Sequence, residues 1–174
     1  MLELVKEVQS EHGVRKTYYN KDKKVFVKIF DWVNDEFYRS HIKIMKKYYR
    51  GVLVDHKKDD SSMQFTYIKI KGVNSKTVVN NNEMLTKLYY FVLKELNRTW
   101  PYYHSDWAVS NILYNEVTDK FYLIDWTTIE KGASKAECLS KINRDLREGF
   151  GEKLWANWIV TDEATKIMRG EYLV

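Results

Sequence analysis

Between Tyr103 and Trp126 the sequence gathers acidic and amide oxygens into three short clusters: His104-Ser105-Asp106, then Asn111-Ile112-Leu113, then Leu123-Ile124-Asp125-Trp126. Asp106 and Asn111 flank one tight loop, and Asp125 follows an apolar run that reads as a strand. The runs Asn111–Tyr114 and Phe121–Ile124 are joined by Asn115-Glu-Val-Thr-Asp119, whose residue types favour a turn. A hairpin there would carry the three side chains to one end of a sheet. Two carboxylates and an amide carbonyl make a hard oxygen set of the kind that holds Mg²⁺ with some of its waters. A divalent ion so held neutralises phosphate charge, the main requirement of phosphoryl transfer.

The remaining elements follow from periodicity and turn chemistry. Val14–Tyr19 and Val25–Phe30 are β-branched and aromatic runs separated by Asn20-Lys21-Asp22-Lys23, which predicts a hairpin. Phe37, His41, Ile44, Met45 and Tyr48 recur at helical spacing and predict a helix over 35–48. Val52–Asp55 and Met63–Lys71 read as a second strand pair joined by the charged loop His56–Ser62. Asn82 is the expected N-cap of a helix that aligns Met84, Leu85, Leu88, Val92 and Leu96 on one face and ends before Pro101. From Ala133 onward the pattern is helical, with breaks expected at Gly149 and Gly151. The whole is an α+β layout, a small N-terminal antiparallel sheet with one helix followed by a mostly helical C-terminal part.

On the three ordered motifs the chain resembles the protein-kinase-like fold, and within it the aminoglycoside phosphotransferase and choline kinase group. That group carries a His-x-Asp loop, an Asn five residues after the Asp with an apolar pair following, and a hairpin ending in Ile-Asp-Trp or Ile-Asp-Phe. The resemblance implies a two-lobed fold, with a nucleotide-binding lobe over 1–72 and a catalytic lobe over 73–174. It also implies ATP and Mg²⁺ as cofactors and a hydroxyl-bearing acceptor whose identity the sequence leaves open. Asp106 would position or deprotonate the acceptor hydroxyl, Asn111 and Asp125 would hold Mg²⁺, and His104 would brace the catalytic loop. Upstream, Lys28 on the third strand would meet the nucleotide phosphates, Glu36 in the next helix would be its partner, and Ile68–Gly72, including Ile70, would contact adenine through the backbone. The likeness runs from about Val14 to Trp126 and has departures. The segment Gln9-Ser10-Glu11-His12-Gly13 holds one glycine in place of a glycine-rich loop, and Trp126-Thr127-Thr128 stands where protein kinases have Phe-Gly.

Composition narrows the alternatives. The 174 residues are 44% hydrophobic, 15% aromatic and 30% charged, with mean hydropathy −0.54, which fits a folded globular chain. No run approaches a membrane span and the N-terminus lacks an apolar leader, so a cytoplasmic location is expected. The single cysteine, Cys138, excludes an internal disulfide or a thiolate zinc site. The net charge of +5 is interspersed, with Lys43, Lys46, Lys47 and Arg50 as the densest group, so nucleic-acid binding is a weak reading. A nucleotide-binding scaffold without turnover is the stronger alternative, motivated by the missing glycine-rich loop. A hydrolytic metal site at His104, Asp106 and Asp125 is a further one, opposed by the lack of a second nearby histidine. Nothing in the sequence sets an oligomeric state.

Overall fold

A computed structural model describes residues 1–172. The chain divides into two compact units, Met1–Lys69 and Ile70–Val174.

The first unit is a five-stranded antiparallel sheet with one helix. Its strands are β1 (Leu2–Ser10), β2 (Gly13–Asn20), β3 (Val25–Phe30), β4 (Leu53–Lys58) and β5 (Met63–Ile68), in the order β1-β2-β3-β5-β4. Helix α1 (Asp35–Tyr48) lies between β3 and β4 in sequence; the Asn34 carboxamide caps it by accepting the Phe37 amide at 2.9 Å. The expected hairpin forms between β2 and β3, with Thr17 opposite Lys28. The second strand pair differs from expectation at its loop. β4 runs on through Lys58, because Tyr38 Oη meets His56 at 2.9 Å and Lys58 Nζ meets Asp35 at 2.5 Å. An exposed edge strand with polar side chains on both faces lacks the alternation that marks strands in sequence.

The core of this unit is Val27, Phe30, Ile44, Met45, Met63, Phe65 and Tyr67, together with His41, which is 2% exposed. The His41 ring packs edge-on against Phe65 at 4.7 Å and its Nε2 lies 2.7 Å from the Tyr67 hydroxyl. Burial, with the nearby Lys28 charge adding to it, lowers the imidazole from 6.5 to about 4. The unfolded chain therefore takes up a proton near pH 6.5 that the folded chain refuses until about pH 4. The native state holds fewer protons across that window, so stability is full above it and falls as the pH drops. Between pH 7 and 4.5 His41 alone accounts for about 2–3 kcal/mol of lost stability. His41→Gln keeps a partner for Tyr67 and is expected to show that much less acid sensitivity in urea melts at the two pH values; an equal loss in both proteins would contradict this account.

The second unit is built on α2 (Asn82–Thr99), whose Leu85, Leu88, Tyr89, Val92, Leu93 and Leu96 are buried. Of the three consecutive asparagines it is Asn81, one residue before the expected Asn82, that caps the helix: its side chain accepts the amide three residues on, at Met84, at 2.9 Å. Packed with it are α3 (Lys135–Phe150), α4 (Glu152–Ile159) and α5 (Asp162–Met168). The β-structure comprises β6 (Val73–Asn74), β7 (Tyr102–His104), β8 (Ile112–Asn115), β9 (Lys120–Leu123) and β10 (Ile129–Lys131). β8 and β9 form the expected hairpin, with β6 along the outer side of β8, while β7 pairs with β10.

Gly149 does not break α3 as expected; the helix continues to Phe150 and ends at Gly151, which has φ of 91°. Gly149 is there because α3 lies against the chain before β8: a Cβ would sit 2.3 Å from Val109 Cγ1. Gly72 plays the same part on β8, where a Cβ would meet the Tyr114 carbonyl oxygen at 2.9 Å, so Ile70–Gly72 belong to the second unit. Among the described residues no helix is long and apolar enough to cross a membrane.

Candidate active site

In the second unit one hydrogen-bonded cluster joins the loop after β7 to the turn after β9. His104, 2% exposed, ends β7 opposite Ile129. Its Nε2 lies 3.0 Å from the Ile124 carbonyl oxygen and its Nδ1 accepts the Asp106 amide at 3.3 Å. This pattern requires the neutral tautomer with the proton on Nε2, and burial lowers the pKa accordingly. With both ring nitrogens facing backbone groups, His104 is a brace between loop and turn and offers no lone pair to a metal. Among the described residues, no three His, Cys, Asp or Glu side chains are grouped to hold an ion.

Asp106 is half-buried and its Oδ1 accepts the Ala108 amide at 3.2 Å. That bond orients the carboxylate and turns the chain into the 3₁₀ turn Val109–Asn111. Asn111 Nδ2 donates to the Asp106 carbonyl at 3.3 Å, and the Asn111 carbonyl accepts the Ile124 amide at 2.9 Å. The two halves of the site are thus tied directly. The Ser105 amide and hydroxyl both donate to the Thr128 carbonyl, at 2.8 and 2.7 Å. Asp125 stands in the left-handed region (φ 62°, ψ 51°), and its Oδ1 accepts the Thr127 hydroxyl at 2.6 Å. Aspartate tolerates this backbone better than most residues, and such conformations cluster at functional sites.

Two supports of this cluster have no signature in the sequence. The Trp107 amide lies 3.4 Å from Asp145 Oδ2, and Asp145 and Gly149 sit one turn apart on the α3 face that meets the loop. The Ser75 hydroxyl donates to the Val109 carbonyl at 3.1 Å. These contacts span 38 and 34 residues, so only the folded chain reveals them.

The N-terminal unit holds the other expected residues. Lys28 is 7% exposed and stands opposite Phe65, on the sheet face covered by α1. Glu36, the expected partner of Lys28, stands at the start of the helix. It is exposed in the first turn of α1, beside Asp35, Arg39, Ser40 and Lys43 along a surface groove, while the sheet-facing positions are Phe37, His41, Ile44 and Met45. Five residues advance a helix by about 140° beyond one full turn, so Glu36 and His41 point to different sides. α1 has no acidic residue after Glu36, and the Lys28 charge acts on His41 of this helix.

Ile68 ends β5 with its amide donated to Val52 at 2.9 Å, and the Lys69 amide is donated to Lys24 at 3.0 Å. The Ile68 N–H is therefore a sheet donor and not an adenine donor. The turn between β1 and β2 is also closed. His12 N–H meets Ser10 Oγ at 3.3 Å and Val14 N–H meets Asp31 Oδ1 at 2.5 Å, so these two amides do not form a phosphate cradle. Gly13, with φ of 135°, is required there because a Cβ would lie 2.4 Å from Asp31 Oδ1.

No protein-family model matches the sequence and no curated protein is similar to it. Among solved structures the chain is similar to the kinase PK-1 of Cydia pomonella granulovirus, with 13% identity, a TM-score of 0.52 and coverage of 76% of this chain. The match covers 56% of that kinase, so this chain corresponds to little more than half its length. At such identity the likeness is one of fold. With an antiparallel N-terminal sheet carrying one helix, and helices packed around a loop-and-hairpin site in the C-terminal unit, the chain has a kinase-like fold.

Proposed function

We propose that this chain is an ATP- and Mg²⁺-dependent kinase that transfers the γ-phosphoryl group to a hydroxyl acceptor. The observation that carries the reading is the hydrogen-bonded cluster in which Asn111 Nδ2 donates to the Asp106 carbonyl and the Asn111 carbonyl accepts the amide of Ile124, the residue before Asp125. Asp106 acts as the base. It accepts the proton of the acceptor hydroxyl while that oxygen bonds to the γ-phosphorus and the bond to the β,γ-bridging oxygen breaks, releasing ADP. Asn111, whose Nδ2 is engaged by Asp106, would offer its Oδ1, and Asp125 its carboxylate; this hard-oxygen donor set fits Mg²⁺. When bound there, the ion neutralises charge on the phosphate oxygens.

Lys28, on the nucleotide-binding lobe formed by the first unit, orients the α- and β-phosphates. The Ile68 carbonyl and the backbone at Ile70 serve the adenine edge. The Ile124-Asp125-Trp126 ending favours a small-molecule acceptor, as in the aminoglycoside phosphotransferase and choline kinase group. The test is transfer of labelled γ-phosphoryl from Mg²⁺-ATP to a panel of hydroxyl compounds, with Asp106→Asn as control. Labelled product from wild type alone supports the reading, and failure of every class of acceptor, with no ADP released, opposes it. A nucleotide-binding scaffold is the second reading, favoured by the closed β1–β2 turn, and it predicts nucleotide binding without ADP release.

A further inference from the structure

We propose that the solvent face of α1 is a docking surface for the phosphate backbone of a nucleic acid. Sequence order scatters the net charge of +5; the fold collects it. The first unit, residues 1–69, holds 15 Lys and Arg against 10 Asp and Glu, whereas residues 70–174 hold 14 of each. The whole excess is therefore carried by the unit that contains α1. Within that unit the carboxylates of Glu3, Glu7 and Asp35 are already met by Lys21, Lys16 and Lys58, at 2.8, 3.5 and 2.5 Å. Arg39, Lys43, Lys46 and Lys47 are exposed on the side of α1 opposite Phe37, His41, Ile44 and Met45, and the exposed Arg50 follows just past the helix. Among the described residues Lys43 and Lys46 have no ion-pair partner, and Arg39 reaches Asp35 only at 4.0 Å. Lys43 stands four residues from Arg39 and Lys47 and three from Lys46, spacings at which like charges repel. The helix dipole accounts for Lys46 and Lys47 in the last turn but not for Arg39 and Lys43.

The chemistry of the face selects the partner. Among the described residues no large apolar side chain of α1 is exposed. The face thus lacks the buried anchors that hold a protein partner and the apolar wedge that holds a helix in a membrane surface. What it offers is a row of cations about 12 Å long from Arg39 to Lys47, and a nucleic-acid strand offers one phosphate about every 3.4 Å. Lys and Arg contacts to phosphate release counterions and supply affinity without reading sequence. The inference stands apart from the kinase reading, since it uses none of the residues placed in that site.

The experiment is fluorescence anisotropy of a labelled duplex and a labelled single strand across a salt series, without nucleotide. Four phosphate contacts predict that log K falls against log salt with a slope of about −3 to −4 on the duplex, a loss of roughly 100-fold between about 50 and 200 mM salt. Lys43→Gln/Lys46→Gln is expected to make that slope shallower by about two and to weaken low-salt binding at least tenfold or so. Lys94→Gln/Lys153→Gln removes the same charge at exposed positions of the second unit and is expected to behave as wild type. All four substitutions are at the surface, so the fold is retained. No binding of either strand form at about 50 mM salt, or an equal loss in the two double variants, would overturn the inference. Binding to phosphatidylserine vesicles with none to nucleic acid would overturn it in favour of a membrane surface.

Discussion

Asp106→Asn is expected to lower phosphoryl transfer by about two to four orders of magnitude, the usual contribution of a positioned general base, with the nucleotide-induced thermal shift unchanged. The substitution is close to isosteric, and the asparagine carbonyl still accepts the Ala108 amide that now meets Asp106 Oδ1 at 3.2 Å. The Asp106 amide still donates to His104 Nδ1, and its carbonyl still accepts from Asn111. Loop geometry is therefore retained while the proton acceptor is lost. Initial rates of ADP release with a productive acceptor, set beside the thermal shift in Mg²⁺-ATP, separate the two quantities. Unchanged rates in Asp106→Asn would remove Asp106 from the base role. Asp106→Ala tests something else, because it also leaves the Ala108 amide without its acceptor.

The largest stability effect is expected at Trp158. This α4 side chain is fully buried, its ring stacks on Tyr89 at 4.3 Å and 19°, and its indole N–H donates to Thr86 Oγ1 at 2.8 Å. Trp158→Ala removes the core contact between α4 and α2 and leaves a cavity that rigid neighbours fill only in part. A loss of about 3–5 kcal/mol is expected, a large fraction of the 5–15 kcal/mol that typically separates folded from unfolded protein. Trp158→Phe retains the stacking partner of Tyr89 but not the donor to Thr86, and is expected to lose roughly 1–2 kcal/mol for that hydrogen bond and the smaller ring. Urea unfolding followed by circular dichroism would show the midpoint falling in that order. A Trp158→Ala protein within 1 kcal/mol of wild type, on the scale of a surface substitution, would contradict this view of the core.

What the sequence makes legible is what is written in local periodicity and turn chemistry. The spacing of Phe37, His41, Ile44 and Met45 defines α1 to its observed limits, Asp35–Tyr48, and the residue types of Asn115–Asp119 define the β8–β9 turn. The order of His104, Asp106, Asn111 and Asp125 is equally legible, because the bonds within the 104–111 loop run between residues at most five apart. What spacing hides is direction and distant contact. Glu36 lies on the helix expected of it but on the outer side, and nothing in its neighbourhood signals that the inward position goes to a histidine. Asn82 misses the cap by one place because all three asparagines have the right chemistry and only Asn81 has the right distance to Met84. Gly149 reads as a helix breaker by propensity, whereas tertiary packing against Val109 makes it a point of close approach inside α3. Asp31 and Asp145 carry no motif at all. Each is placed by a backbone amide that lies 17 or 38 residues away in the chain.

The central claim is that this chain binds Mg²⁺-ATP through Asp125, and the most direct test needs no acceptor. It is the thermal shift of wild type and Asp125→Ala at saturating ATP, with and without Mg²⁺. At ligand about 100-fold above Kd, linkage stabilises the folded state by ~2.7 kcal/mol, a rise in Tm of roughly 5–10 °C for a chain of this size. The account predicts that rise for wild type in the presence of Mg²⁺, and its loss in Asp125→Ala with the ligand-free Tm little changed. A wild type that does not respond to Mg²⁺-ATP, or an Asp125→Ala protein that responds in full, would contradict it.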